Sequence, residues 1–117
     1  MKNYKNKYRN KKVIYKNEVF DSKAELKHIK NLMIKEQQGF ISSLEIKPKY
    51  MLQESFRDSK GKAIRAITYT PEASYIENSQ KKILEVKSKP TITDAYTIRK
   101  KLFLKRYPDI ELVEIIT

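Results

Sequence analysis

The chain has 117 residues with 26 Lys and Arg against 14 Asp and Glu, a net charge of +12, and such self-repulsion is relieved by a polyanionic partner, nucleic acid first among them. One domain with one core fits this length, and zero Cys with a single His excludes disulfides, thiolate nucleophiles, zinc fingers and histidine-rich metal sites. No apolar run nears the roughly 18 residues of a membrane span, no helix pairs a lysine face with a broad apolar one, and the start lacks a signal-peptide core, which predicts a cytoplasmic protein with no membrane partner.

Residues 2 to 12 carry Lys2, Lys5, Lys7, Arg9, Lys11 and Lys12 with Asn between them and no acid. This composition predicts a flexible basic arm over residues 1–11 ahead of a single domain over 12–117. Lys12 to Tyr15 and Glu18 to Phe20 read as a hairpin about Asn17, a residue type that tolerates positive φ. Ser22-Lys23-Ala24-Glu25 has the spacing of a capping box, Leu26, Ile29 and Met33 recur on one face, and Gly39 supplies a stop, so a helix is expected from Ser22 to Gln38.

Short extended segments follow, Ser43 to Ile46 and Tyr50 to Glu54, flanking Pro48 at a break between strands. Asp58-Ser59-Lys60-Gly61 signals a turn, and a longer strand is predicted over Ile64 to Ile76, interrupted at Pro71. Asn78-Ser79 turns the chain into a strand over Ile83 to Lys87, which Pro90 ends. Asp94 is predicted to cap a second helix, with Ala95, Ile98 and Leu102 on one face and its end before Pro108; Leu112 to Ile116 closes as a strand.

Alternation on the last long strand before that helix puts Glu85 and Lys87 on one side, Leu84 and Val86 on the other. Upstream, Glu72 shares its parity with Thr70 and Ser74, whereas Ile67, Tyr69, Ala73 and Tyr75 form the apolar set. If the strands pair through the Asn78 turn, Glu72 and Glu85 can share a face and hold one divalent cation. With carboxylate ligands the cation is Mg or Mn. Phosphodiester hydrolysis needs an activated water and neutralised charge in the transition state. Lys87 is placed to orient the water or face the phosphate. Glu25, beside the apolar stripe of the first helix, can aim at the same site, and as third residue of a capping box it has a purely structural alternative, accepting from the Ser22 N–H.

Pro71-Glu72, twelve residues, then Glu85-Val86-Lys87 resembles the PD-(D/E)XK nuclease signature. Phe20 to Glu25, Leu44 to Tyr50, Ile67 to Tyr69 and Lys100 to Phe103 resemble a family of small phage and prophage proteins assigned to that superfamily, over about residues 8 to 116. The resemblance implies an α/β (α+β) restriction-endonuclease-like core, with a helix, a mixed central sheet, a second helix and a final strand. It also implies Mg as cofactor, action on DNA in a bacterial host cell, and a homodimer to address two strands. Glu72, Glu85 and the Val86 carbonyl would then hold the metal, with Lys87 acting on the water or transition state and Glu25 beside them. Superfamily members include restriction-type endonucleases and Holliday-junction resolvases. The family pattern has Ala-Asp where this chain has Pro71-Glu72, and Glu-Asp-Val-Lys-Gly where it has Leu84-Glu85-Val86-Lys87-Ser88.

Candidate DNA contacts are Arg9, Lys11 and Lys12 on the arm, Lys89 and Arg99 close in sequence to the site, and Lys100 and Lys101, for which a solvated helix face is the plain alternative. Tyr50, Tyr69 and Tyr75 are better explained by packing, Tyr4 and Tyr8 by nucleic-acid contact. The first function expected is a Mg-dependent endodeoxyribonuclease, selective for branched DNA in one version; the alternative is a catalytically inactive DNA-binding or regulatory protein on the same fold. An RNA-associated basic protein fits the charge but leaves the carboxylate spacing unexplained.

Overall fold

The computed structural model describes residues 13–15, 17–20 and 22–117, so the arm with Arg9, Lys11 and Lys12 lies outside the described residues. The chain enters as an antiparallel hairpin, β1 (Val13–Tyr15) and β2 (Glu18–Phe20), with Asn17 at φ 66° in the turn. Helix α1 (Lys23–Gln37) starts where the Ser22 hydroxyl accepts from the Glu25 N–H at 3.2 Å. The reciprocal half of the predicted capping box is not made; the Glu25 carboxylate is buried instead. Ile29 and Leu32 are buried on the inner face, and Gly39 at φ 81° takes the left-handed conformation that ends the helix.

Eight strands and a second helix follow. They are β3 (Ser42–Ile46), β4 (Tyr50–Gln53), β5 (Phe56–Arg57), β6 (Ala63–Ile64), β7 (Ile67–Tyr69), β8 (Ala73–Glu77), β9 (Gln80–Lys87), then α2 (Asp94–Arg106) and β10 (Glu111–Ile116). The central sheet has the order β10-β9-β8-β3, with β10 parallel to β9 and the other pairs antiparallel. The fold is therefore mixed α+β, with the predicted order of elements. β4 pairs with β7, and β5 with β6, as separate ribbons.

The long strand expected over residues 64–76 is instead three strands, β6, β7 and β8, in three different sheets. Pro71, fully buried and without an N–H to donate, lies at the second break. Thr93, rather than Asp94, caps α2: its hydroxyl accepts from the Tyr96 N–H at 3.1 Å, and Asp94 sits in the first turn. The buried face of α2 is not the one shared by Ala95, Ile98 and Leu102. Tyr96 and Phe103 are buried, whereas Ile98 is 58% and Leu102 39% exposed.

Alternation along the sheet separates two cores. Leu84, Val86, Ala73 and Tyr75 face α1 and pack with Phe20, Ile29, Leu32 and Ile41. Ile83, on the other face, packs with Leu52, Tyr69, Tyr96 and Phe103 under α2. This second core is largely aromatic: Phe103 meets Tyr50, Tyr69 and Tyr107 with ring centroids 5.1 to 5.4 Å apart, a geometry that adds to the gain from buried area.

Candidate functional site

The ladder between β8 and β9 ends with Ala73 opposite Leu84, and Glu72 lies one residue outside β8 at that end. Backbone bonds on both sides fix Glu72: its N–H donates to the Leu84 carbonyl, and its carbonyl accepts from the Lys47 N–H, each at 2.9 Å. Glu85 and Lys87 lie on the α2 face of β9 while Leu84 and Val86 enter the α1-side core, as alternation requires. Glu72 and Glu85 come close enough for the charge of Glu85 to act on the Glu72 carboxyl. Glu25 is brought to the same place by the start of α1, and its carboxylate is hydrogen-bonded with that of Glu72.

Three carboxylates here are nearly closed off from solvent: Glu25 is 5%, Glu72 9% and Glu85 2% exposed. Burial, then the hydrogen bond and charge of Glu25, then the charge of Glu85 push the Glu72 carboxyl up to about 10, with Lys87 opposing. Burial lifts Glu85 to about 7, against the hydrogen bond from Tyr69 and the charge of Lys87. The Tyr69 hydroxyl donates to Glu85 Oε1 at 2.6 Å. Glu85 Oε2 is buried with no hydrogen-bond partner; the Lys87 ammonium is 4.0 Å away.

Lys87 sits at the rim, its side chain 22% exposed. Its ammonium lies 4.6 Å from the centre of the Tyr96 ring, a cation–π contact that limits where the charge can go. The Tyr96 hydroxyl donates to Glu114, and Lys100 donates to both Glu114 oxygens at 3.0 and 3.1 Å. Those two partners, Tyr96 first, hold the Glu114 carboxyl below the usual carboxylate range. Tyr69, Tyr96 and Glu114 were not singled out by the sequence for this site. For Tyr69 the reason is local: parity counted through Pro71 put it on the face of Ala73, and the break reverses that.

A carboxylate oxygen buried without a hydrogen-bond donor, beside two further buried carboxyl groups, is a donor set deficient in positive charge. It fits a divalent cation. Among the described residues no three or more His, Cys, Asp and Glu side chains form a group arranged to hold an ion by themselves. Mg suits such a site, because it takes one or two carboxylates and completes its shell with water and substrate oxygens.

The candidate DNA contacts are dispersed. Lys89 is exposed in a short 3-10 turn just past β9, and Lys101 is exposed on α2. Arg99 is exposed and donates through Nε to the Thr68 carbonyl at 3.2 Å, while Lys100 is engaged by Glu114. His28 is partly exposed on α1. It lines a groove of about 360 Å³ with Leu32, Ile34, Tyr75, Leu84 and Val113, on the α1 side of the sheet and without any of the three clustered carboxylates. No helix among the described residues is long and apolar enough to cross a membrane.

A family profile described as "Protein of unknown function (DUF1064)" matches residues 5–117. No curated protein and no solved structure matches the chain.

Proposed function

Because the chain belongs to the DUF1064 family, whose description assigns no activity, its function must come from the site, and we propose that it is a Mg-dependent endodeoxyribonuclease of the PD-(D/E)XK kind. The observation that carries this reading is the clustering of three buried carboxylates, Glu25, Glu72 and Glu85, with Lys87 at their rim and Glu85 Oε2 left without a hydrogen-bond donor. Elements far apart in sequence converge there, at a cost in stability that a core does not incur without reason.

In this reading Glu72 and Glu85, with the Val86 carbonyl, hold Mg, for which Mn can substitute. The bound ion would supply a water of lowered pKa and neutralise charge on the phosphoryl group. Tyr69 fixes the orientation of the Glu85 carboxylate through Oε1. Lys87, steered by the Tyr96 ring, presents a positive point charge to the scissile phosphate. Burial and the neighbouring Glu25 favour the protonated form of Glu72 when no cation is present. The net charge of +12 supplies sequence-independent attraction to the DNA backbone. A homodimer acting on both strands, a phage or prophage origin and a bacterial cytoplasmic location belong to the same proposal.

One observation favours a second reading, a DNA-binding protein without turnover. Burial and Glu25 push the Glu72 carboxyl up to about 10, so its protonated form already offsets part of the cluster's charge without a metal, and Glu72 is one methylene longer than the Asp of the family pattern. Cleavage of labelled linear duplex, single-stranded and four-way-junction DNA in Mg, Mn or EDTA separates the two, with Glu85→Ala run alongside. Metal-dependent cutting lost in Glu85→Ala is the expected result. Tight binding with no cutting in either metal would establish the second reading instead.

A further inference from the structure

The acidic cluster leaves one strongly charged feature unused. Between β4 and β7 the chain runs out and back as the β5–β6 hairpin, whose strands pair only with each other. The segment from Phe56 to Arg65 carries Arg57, Lys60, Lys62 and Arg65, all exposed, against a single acid, Asp58. None of these four cations is in an ion pair among the described residues. Phe56, beside them, is 48% exposed and belongs to neither core.

The one acid is consumed by the turn. Asp58 Oδ1 accepts from the N–H groups of Lys60 and Lys62, both at 2.9 Å. The Asp58 N–H donates to the Lys62 carbonyl and the Gly61 N–H to the Asp58 carbonyl, each at 2.9 Å. Arg57 donates to the Gly61 carbonyl at 2.8 Å, and Gly61 takes φ 78°, which a side chain would strain. A lone two-stranded hairpin has little burial to stabilise it. Here the backbone bonds shape a tip that holds two lysines and two arginines in water, where they repel one another. That arrangement has little use in the fold and a plain use against a polyanion.

We propose that the β5–β6 hairpin is a grip for duplex DNA, with Lys60 and Lys62 at its tip bonding backbone phosphates and Arg65 and Phe56 on its flanks. This rests on DNA being the substrate. A two-stranded ribbon is of the width that the major groove admits. The hairpin also continues the ribbon that reaches the acidic site. β4 and β7 pair Tyr50 with Tyr69 at the end where Tyr69 holds Glu85, and Gln53 with Ile67 toward the hairpin. Tyr69 is nine positions on from Lys60, a span of at most about 32 Å in extended chain. One turn of duplex is about 34 Å, a length comparable with that bound.

The test compares Lys60→Gln/Lys62→Gln with Lys27→Gln/Lys35→Gln, which removes the same charge from exposed positions on α1. Anisotropy of a labelled 30-base-pair DNA duplex is read across a salt series, with the same-sequence RNA duplex in parallel. The hairpin variant is expected to keep the wild-type melting temperature and lose about tenfold or more in DNA affinity at low salt. Its salt slope should fall by about 2, at roughly 0.9 per phosphate contact, while the α1 variant falls by less than half as much. Equal losses in the two variants overturn the hairpin proposal while leaving the DNA reading intact. A wild-type protein that binds neither duplex overturns both, and tighter binding of RNA than of DNA overturns the DNA assignment.

Discussion

The Tyr69 hydroxyl donates to Glu85 Oε1 at 2.6 Å, while Glu85 Oε2 has no hydrogen-bond partner and the Lys87 ammonium stands 4.0 Å from it. One oxygen is thus held by the protein and the other left for something the protein does not itself supply. Removing the hydroxyl with Tyr69→Phe leaves both oxygens of a 2%-exposed carboxylate without a donor. A loss of about 1–3 kcal/mol in stability is expected in urea unfolding. Mn affinity, read by titration calorimetry, should weaken with it, because the carboxylate loses its fixed orientation. Unchanged Mn affinity alongside lowered stability would confine Tyr69 to a packing role.

Glu72 makes stability depend on pH with a definite sign. Its carboxyl is raised from 4.5 to about 10 in the folded chain, by burial first and Glu25 second. The folded state therefore keeps a proton that the unfolded state releases. The stabilisation is complete below pH 4.5 and declines as pH rises toward about 10. Glu72→Gln is neutral throughout, so in EDTA it should melt above wild type at pH 8 by about 4 °C or more, the shift that 1 kcal/mol gives a small domain. The gap should close near pH 4.5. Mn should reverse the order at pH 8, raising wild type alone, by an amount equivalent to about 2.7 kcal/mol at a hundredfold excess over Kd. Differential scanning fluorimetry across pH, with and without Mn, checks all three points.

Lys87 approaches both the Tyr96 ring at 4.6 Å and Glu85 at 4.0 Å. Lys87→Met keeps the aliphatic stem and removes the charge. Cleavage in single turnover should fall by about 10²–10³, the usual cost of one transition-state donor. Duplex affinity should change by less than tenfold, since at most one phosphate contact is lost. Equal losses in binding and cleavage would make Lys87 an ordinary backbone contact.

What was legible in the sequence followed from local rules. Ser22, Asn17 and the Asn78 turn mark their positions through backbone chemistry that tertiary structure does not override, and alternation alone put Glu85 and Lys87 on one face with Leu84 and Val86 on the other. That β8 and β9 would be neighbours through the Asn78 turn was equally readable, and it brings Glu72 near Glu85. Illegible were contacts made across breaks in periodicity. Tyr69 reaches Glu85 because the chain reverses its facing at buried Pro71. The inner face of α2 was missed for a related reason: two stripes compete there, one aliphatic through Ala95, Ile98 and Leu102, the other aromatic through Tyr96, Phe103 and Tyr107. Which is buried depends on Tyr50 and Tyr69 being placed beneath the helix, by a ribbon distant in sequence.

That competition gives a paired prediction. Phe103 is fully buried among Tyr50, Tyr69 and Tyr107, whereas its neighbour Leu102 is 39% exposed. Phe103→Ala should cost about 3–5 kcal/mol, as a large aromatic leaves a cavity in a packed core. Leu102→Ala should cost well under half as much, because Leu102 already exposes 39% of its surface and Ala regains part of the loss in helix propensity. The two substitutions adjoin on one helix, so propensity and chain entropy are nearly matched and the difference reads burial alone. Chemical denaturation of both variants checks the facing of α2. Phe103→Ala should in addition loosen Tyr69, whose ring centroid is 5.4 Å from that of Phe103, and so weaken Mn binding at Glu85 without touching a ligand.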